Sequence, residues 1–200
     1  MKSKIEVINK SIGAAFLISL GNFALLKLGS PIGPVIFAFG LLGVCYLGQN
    51  LFTGKCGFIF EDKAWLNLLI ILIVNLIFGY IFGIMYRYTD PEVVKAAVAK
   101  VDTWDISLAY FFKSFLCGTI MYLAVKMYKV GTPLGIIFGI PLFIFSGFQH
   151  CIANVVTMGV ALCFHPALII AIIGNFVGSI FIWYVSKDID VKKKTKRTKK

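Results

Sequence analysis

By length alone, 200 residues would make one soluble domain, but 59% of them are apolar and only 14% charged, with a mean hydropathy of +0.89. That composition cannot furnish a water-exposed surface, so the chain reads as an integral membrane protein. The net charge of +11 is segregated, with lysine and arginine crowding the first ten and last fourteen positions. Beside so much apolar sequence this marks a topology anchor among lipid headgroups and excludes a nucleic-acid arm.

Windows of about twenty residues, the length a helix needs to cross a bilayer core, find apolar runs at about 12–28, 32–60, 64–86, 107–128, 132–163 and 167–185. The expected fold is all-α, with six transmembrane helices. The chain also repeats itself. KLGSPIG from Lys27 to Gly33 returns as KVGTPLG from Lys129 to Gly135, Gln49-Asn50 is echoed by Gln149-His150, and Asn75 by Asn175. Internal duplication in an apolar chain marks membrane transport folds, whose site lies where the repeats meet.

The second and fifth runs are too long for one straight helix and contain glycines and polar residues: Gly48, Gln49, Asn50, Thr53, Gly54 and Lys55 in one, Gly147, Gln149, His150 and Asn154 in the other. Both are expected to be broken helices, tolerated at membrane depth only when buried in protein or lining a wet cavity. Six spans place both termini on one side, and their lysines make that side cytoplasmic. Three spans per half is an odd number, so the second half enters from the opposite side and the repeat is inverted. The expected organisation is a single membrane domain: repeat one at about 12–86, an outer linker at 87–105, repeat two at about 107–185 and a basic tail at 186–200. Pro91 after Asp90 fits the first turn of a short linker helix.

The five cysteines lie inside or at the edges of apolar runs without a CxxC pair, and read as small buried residues. Metal-ligand spacing is missing, and no cofactor is expected. His165 precedes a proline at the outer end of the fifth run and reads as a loop residue. His150 sits in FSGFQHCIANVV, four residues before Asn154, so one helical face could carry both. An ionisable group at that depth is a functional candidate, and imidazole can donate from one nitrogen while accepting at the other. The competing reading is a neutral histidine satisfied by a carbonyl. The apolar runs contain no acid, which favours anions or small neutral solutes over metal cations. Phe37, Leu41 and Phe143 could form apolar constrictions near His150, stripping an ion of water, or simply pack. Lys27, Lys55, Lys113 and Lys126 lie near span ends and read mainly as snorkelling groups, with Lys55 and Lys113 the two to test. Lys95 and Lys100 read as solvated linker charges.

GFQHCIAN resembles the GFEHxxAN motif of the formate/nitrite transporter family. GQNLFTG is similar to that family's G-x-x-LFT segment, FLCGTIMYLAV to its G-x-x-x-N-x-x-V-x-L-A-V segment, and IIGNFVGSIFI to its GN-x-x-GG segment. The resemblance covers nearly the whole chain. It implies an aquaporin-like protomer in a homopentamer, each protomer with a pore for small monovalent anions such as formate, nitrite or hydrosulfide. It further implies that His150 is the central pore histidine, Thr53 the polar residue of the first break and Asn175 the sixth-helix asparagine. Asn154 and Gln149 would add pore polarity. Phe37, Leu41 and Phe143 would form the outer constriction and Leu51 the inner one. Two positions depart from the pattern: Gln149 replaces the acid before the histidine, and Gly118 replaces the fourth-helix asparagine. A family lysine falls on Asp102, with Lys100 out of register. The alternatives are a neutral-solute channel of the ammonia, water or hydrogen sulfide kind and, more remotely, an intramembrane enzyme using Cys151 or Ser146 with His150 as base.

Overall fold

The computed structural model describes residues 3–197, with side chains described through residue 187. Most of the basic tail expected at 186–200 therefore lies outside the described side chains. Helix α1 is Lys4–Leu28. It begins well before the apolar run because Ser3 caps it, accepting from Glu6 N, and a Glu6–Lys10 pair supports its first turns. Helix α2 is Ile32–Tyr46. The run that began it continues not as helix but as an irregular segment, then α3 (Phe52–Lys55), a 3₁₀ turn (Cys56–Phe58) and α4 (Ile59–Asp62).

Helix α5 spans Trp65–Arg87, and the linker forms α6, Pro91–Val101, with Asp90 as N-cap and proline in its first turn. Helix α7 is Leu108–Lys129, α8 is Leu134–Phe145, α9 is Cys151–Ala161 and α10 is Ala167–Arg197. Among the described residues the structure is all-helical. Among those residues four helices are long and apolar enough to cross a membrane, at Lys4–Leu28, Trp65–Arg87, Leu108–Lys129 and Ala167–Lys187. The shorter apolar helices are α2, α8 and α9.

Between lipid-exposed helices there is no hydrophobic drive to associate, so close packing through small residues must supply it. The α7–α10 seam is built this way. A Cβ on Gly118 would run into the carbonyl oxygen of Asn175 on α10, and one on Gly178 into that of Phe115 on α7. Ser179 locks the same seam by donating to the carbonyls of Gly118 at 2.9 Å and Asn175 at 2.8 Å. The departure at Gly118 thus has a packing reason: an asparagine does not fit there without moving α10. Gly118→Asn should cost at least about 3 kcal/mol, because its clash is with backbone that cannot rotate away, and thermal unfolding in detergent would read this as a lower midpoint.

The duplication is visible in hydrogen bonds. Gly48 and Gly147 adopt positive φ, 61° and 68°, where each helix stops. Gln49 N donates to Val44 O and Phe148 N to Phe143 O; Asn50 N donates to Lys10 O and Gln149 N to Lys113 O. Leu51 and His150 are the N-caps of α3 and α9. These pairs of break residues are ninety-nine positions apart, which corrects the pairing read from sequence. Gln149 answers Asn50, and His150 answers Leu51. Shared glutamines at 49 and 149 pulled the comparison one residue out of register.

Candidate functional site

A helix that stops in a membrane leaves backbone groups needing partners. Here one asparagine per half supplies them. Asn75 on α5 accepts from Phe52 N at 2.8 Å and donates to Ser11 O at 2.8 Å and Asn50 O at 3.2 Å. Asn175 on α10 accepts from Cys151 N at 2.9 Å and donates to Ser114 O at 2.7 Å and Gln149 O at 2.8 Å. Both are fully buried. Asn175, expected as a pore polar residue, is placed as a clamp: every polar group of its amide engages the backbone around the second break.

The clamps bring the two helix starts face to face. His150 Nε2 lies 2.8 Å from Thr53 Oγ1, while its Nδ1 accepts the Ala153 N–H at 3.0 Å as the cap of α9. With Nδ1 an acceptor, the neutral ring carries its proton on Nε2 and donates it to the threonine hydroxyl. Thr53 can in turn donate its own hydroxyl proton onward. Phe143 stacks on the imidazole at a centroid distance of 6.0 Å, and Phe37 meets Phe143 edge-on at 6.1 Å. His150 is 2% exposed, Phe37 1% and Leu41 0%, so apolar side chains enclose this one polar pair.

A cavity of about 70 Å³ reaches this point from the α6 side, lined by Phe37, Lys100, Phe143, Gln149, His150 and Asn154 among others. A second cavity, of about 310 Å³, is bordered by Leu41, Leu51 and Lys55. No carboxylate lines either one. Leu41, expected beside Phe37 at the outer constriction, borders the inner cavity, being one turn further along α2. Leu51 borders the same cavity. Asn154 donates to Tyr110 Oη at 2.9 Å and Gln149 Oε1 at 3.1 Å. Gln149 also donates to Gly147 O at 3.0 Å, a bond that an acid in its place could not make while ionised. His165 accepts from Ala167 N at 3.2 Å and meets the Trp104 ring edge-on, outside the lumen.

Two site residues escape simple reading. Tyr110, the partner of Asn154, lies in an aromatic stretch that carries no polar signal. Lys100 was expected in solvent, yet its side chain lines the outer cavity with His150. The signal was present in the period of α6: Val93 and Ala97 are buried, and residue 100 completes the i, i+4, i+7 face. Asp102, which the family resemblance put in that place, is exposed at the helix end.

Burial lowers the Lys100 ammonium from its ordinary value to about 8. The folded pKa is depressed, so the charge is present below about pH 7 and lost as pH rises through 8. For a small anion that stays ionised over that range, passage by this cavity should show a downward step of about fivefold near pH 8, the size a unit charge a few ångströms away supports. Lys100→Gln should lack this step near pH 8 while keeping whatever pH dependence proton transfer at His150 imposes. Initial uptake rates from pH 6 to 9 check this.

The geometry defines a class first: a helical membrane protein with a buried histidine–threonine pair and two acid-free cavities. A family model, "Formate/nitrite transporter", matches residues 3–187. Two relatives from Bacillus subtilis (strain 168) match at similar levels. The uncharacterized transporter YwcJ is 30% identical, covering 82% of this chain and 77% of that protein. The uncharacterized transporter YrhG is 31% identical, covering 81% and 74%. Among solved structures, an FNT family ion channel has a TM-score of 0.73 at 21% identity, covering 90% of this chain and 86% of that one. A pentameric formate channel with formate bound has a TM-score of 0.72 at 19% identity, covering 93% and 95%. This chain belongs to the formate/nitrite transporter family. It is an integral membrane transport protein of the formate/nitrite type, not an enzyme.

Proposed function

We propose that the chain forms a pore for the anions of small weak acids, of which formate, nitrite and hydrosulfide are the candidates, and that they cross at His150. The observation that carries this is the buried His150 Nε2–Thr53 Oγ1 contact of 2.8 Å, with one acid-free cavity lined by His150 and a second bordered by Leu41 and Leu51. An anion entering the outer cavity is drawn by Lys100, loses water between Phe37 and Phe143, and meets the Nε2–H and the Thr53 hydroxyl. It takes up a proton delivered from cavity water through this pair, crosses the leucines as the neutral acid, and releases the proton on the other side. One proton moves with each anion. Because Nδ1 is committed to Ala153, the exchangeable ring proton in this arrangement is the one on Nε2.

The architecture we attach to this function has six crossings, α1, α2 with α3 and α4, α5, α7, α8 with α9, and α10, in an inverted repeat with two broken helices. The repeated clamp and cap hydrogen bonds support it. The pentameric formate channel supports a homopentamer, and the Bacillus relatives support a bacterial plasma membrane. The lysines near both ends support cytoplasmic termini.

Gln149 in place of an acid keeps a neutral-solute reading in view. Reconstituted liposomes with opposed formate and chloride gradients separate the two. The proposal expects saturable formate uptake with nitrite and hydrosulfide competing, and no sodium uptake. Uptake of water or ammonia with none of the three anions would overturn it.

A further inference from the structure

The end of α10 that leads into the lysine-rich tail borders a groove of about 480 Å³ that the His150 site does not use. Val177, Phe181 and Tyr184, spaced i, i+4 and i+7 on α10, line it together with Phe60 of α4 and Trp183. Phe60 stacks on Trp183 at a centroid distance of 4.8 Å, so α4 and α10 build this wall jointly. Phe60, Val177, Phe181 and Tyr184 are all exposed. Every lining residue is apolar or aromatic except Lys187. That lysine ends the membrane-crossing part of α10, with Nζ 4.0 Å from the ring centroid of Tyr184 and 5.9 Å from that of Trp183. Tryptophan and tyrosine rings with a lysine just beyond them mark the level of lipid headgroups. The groove therefore leads from hydrocarbon depth to a cation at the level of the phosphates. Among the described residues Lys187 has no ion-pair partner. Glu61, which reaches the same indole, accepts its N–H at 2.9 Å.

We propose that this groove seats an anionic phospholipid, with one acyl chain along Val177, Phe181 and Tyr184 and the phosphate on Lys187. Two observations favour lipid over a second copy of the chain. Helices that pack on helices in a membrane do so through small residues, as α7 and α10 do at Gly118 and Gly178. Nothing smaller than valine lines this groove. A second copy would also have to bring a carboxylate to Lys187, and the described acids of this end are engaged: Glu6 pairs with Lys10, Glu61 holds Trp183, and Asp62 borders a cavity with Lys55 and Lys129. The sequence after Lys187 adds seven lysines and arginines against two aspartates, a balance that suits an anionic headgroup. A lipid seated here braces α4, which ends the first broken segment, against α10. The inference does not depend on the anion pathway.

Trp183 reports on the groove, because bromine on an acyl chain quenches an indole that it touches. Wild type and Trp183→Phe are placed in phosphatidylcholine nanodiscs with a rising share of brominated phosphatidylglycerol or, in a parallel series, brominated phosphatidylcholine. The difference between the two proteins is the Trp183 signal. Half-maximal quenching is expected at about a fivefold lower share of the anionic lipid, the effect of one lysine beside an anionic headgroup. Lys187→Gln should bring the two half-points within about twofold of each other while Trp183 is still quenched, and Lys187→Arg should keep the preference. Equal half-points in wild type, or a preference that survives Lys187→Gln, would overturn the site. Trp183 quenched by neither lipid would mean that a second copy covers the groove, and would overturn it too. Loss of the preference on adding inorganic phosphate at constant ionic strength would mean that a free anion takes Lys187, and would overturn the lipid.

Discussion

Asn175→Leu, nearly isosteric, should lower stability by roughly 3 kcal/mol or more and abolish flux. The change strips partners from the Cys151 N–H and from the carbonyls of Ser114 and Gln149, all buried, and each unpaired group costs about 1–3 kcal/mol. Water cannot easily reach them in the seam between α7 and α10. The lost bonds also fix where α9 starts, and with it the imidazole of His150. Asn75→Leu should act alike on Phe52 N, Ser11 O and Asn50 O, displacing Thr53. Asn175→Asp keeps the acceptor for Cys151 but sets a carboxylate against two carbonyls, so it should rescue little. Thermal unfolding in detergent and formate flux at a temperature below the midpoint are the readouts. An unchanged midpoint for Asn175→Leu would mean that the breaks are held by something else.

His150→Phe should lower formate flux by at least about tenfold while leaving the fold intact. The ring is replaced by one of similar outline between Phe143 and the start of α9, but the Nε2–H donor vanishes and the buried Thr53 hydroxyl loses its 2.8 Å partner. In a dewetted lumen, losing a polar station costs more than in water, about 1–3 kcal/mol per unpaired group. The Ala153 N–H loses its cap as well, so some loss of stability accompanies the loss of flux. Thr53→Val, which keeps the cap, should show the flux effect with less of the stability effect. That contrast separates the transport role of the histidine from its structural one, since the same ring serves both.

Much of this was legible in the sequence. Composition shows the membrane, run length shows the four helices long and apolar enough to cross among the described residues, and Gly48 and Gly147 with their polar neighbours mark places where helices stop. The resemblance in GFQHCIAN points to His150. What stayed hidden has physical causes. The role of Asn175 depends on which backbone groups lie within 3 Å of it, and no spacing rule reports that. Lys100 follows from the period of α6, but only once the helix is placed against the cavity, because a linker charge ordinarily faces water. The register of the repeat was misread from one coincident glutamine, whereas the N-cap conformations of Leu51 and His150 fix it. A leucine on one side of the junction and a histidine on the other is the asymmetry on which the proposed transport step rests.

The most direct test is formate uptake into liposomes as a function of pH, wild type beside His150→Phe. Uptake that rises steeply as pH falls, alkalinises the formate-donating side and collapses in the variant is the predicted result. Equal, pH-independent uptake by both proteins would contradict it.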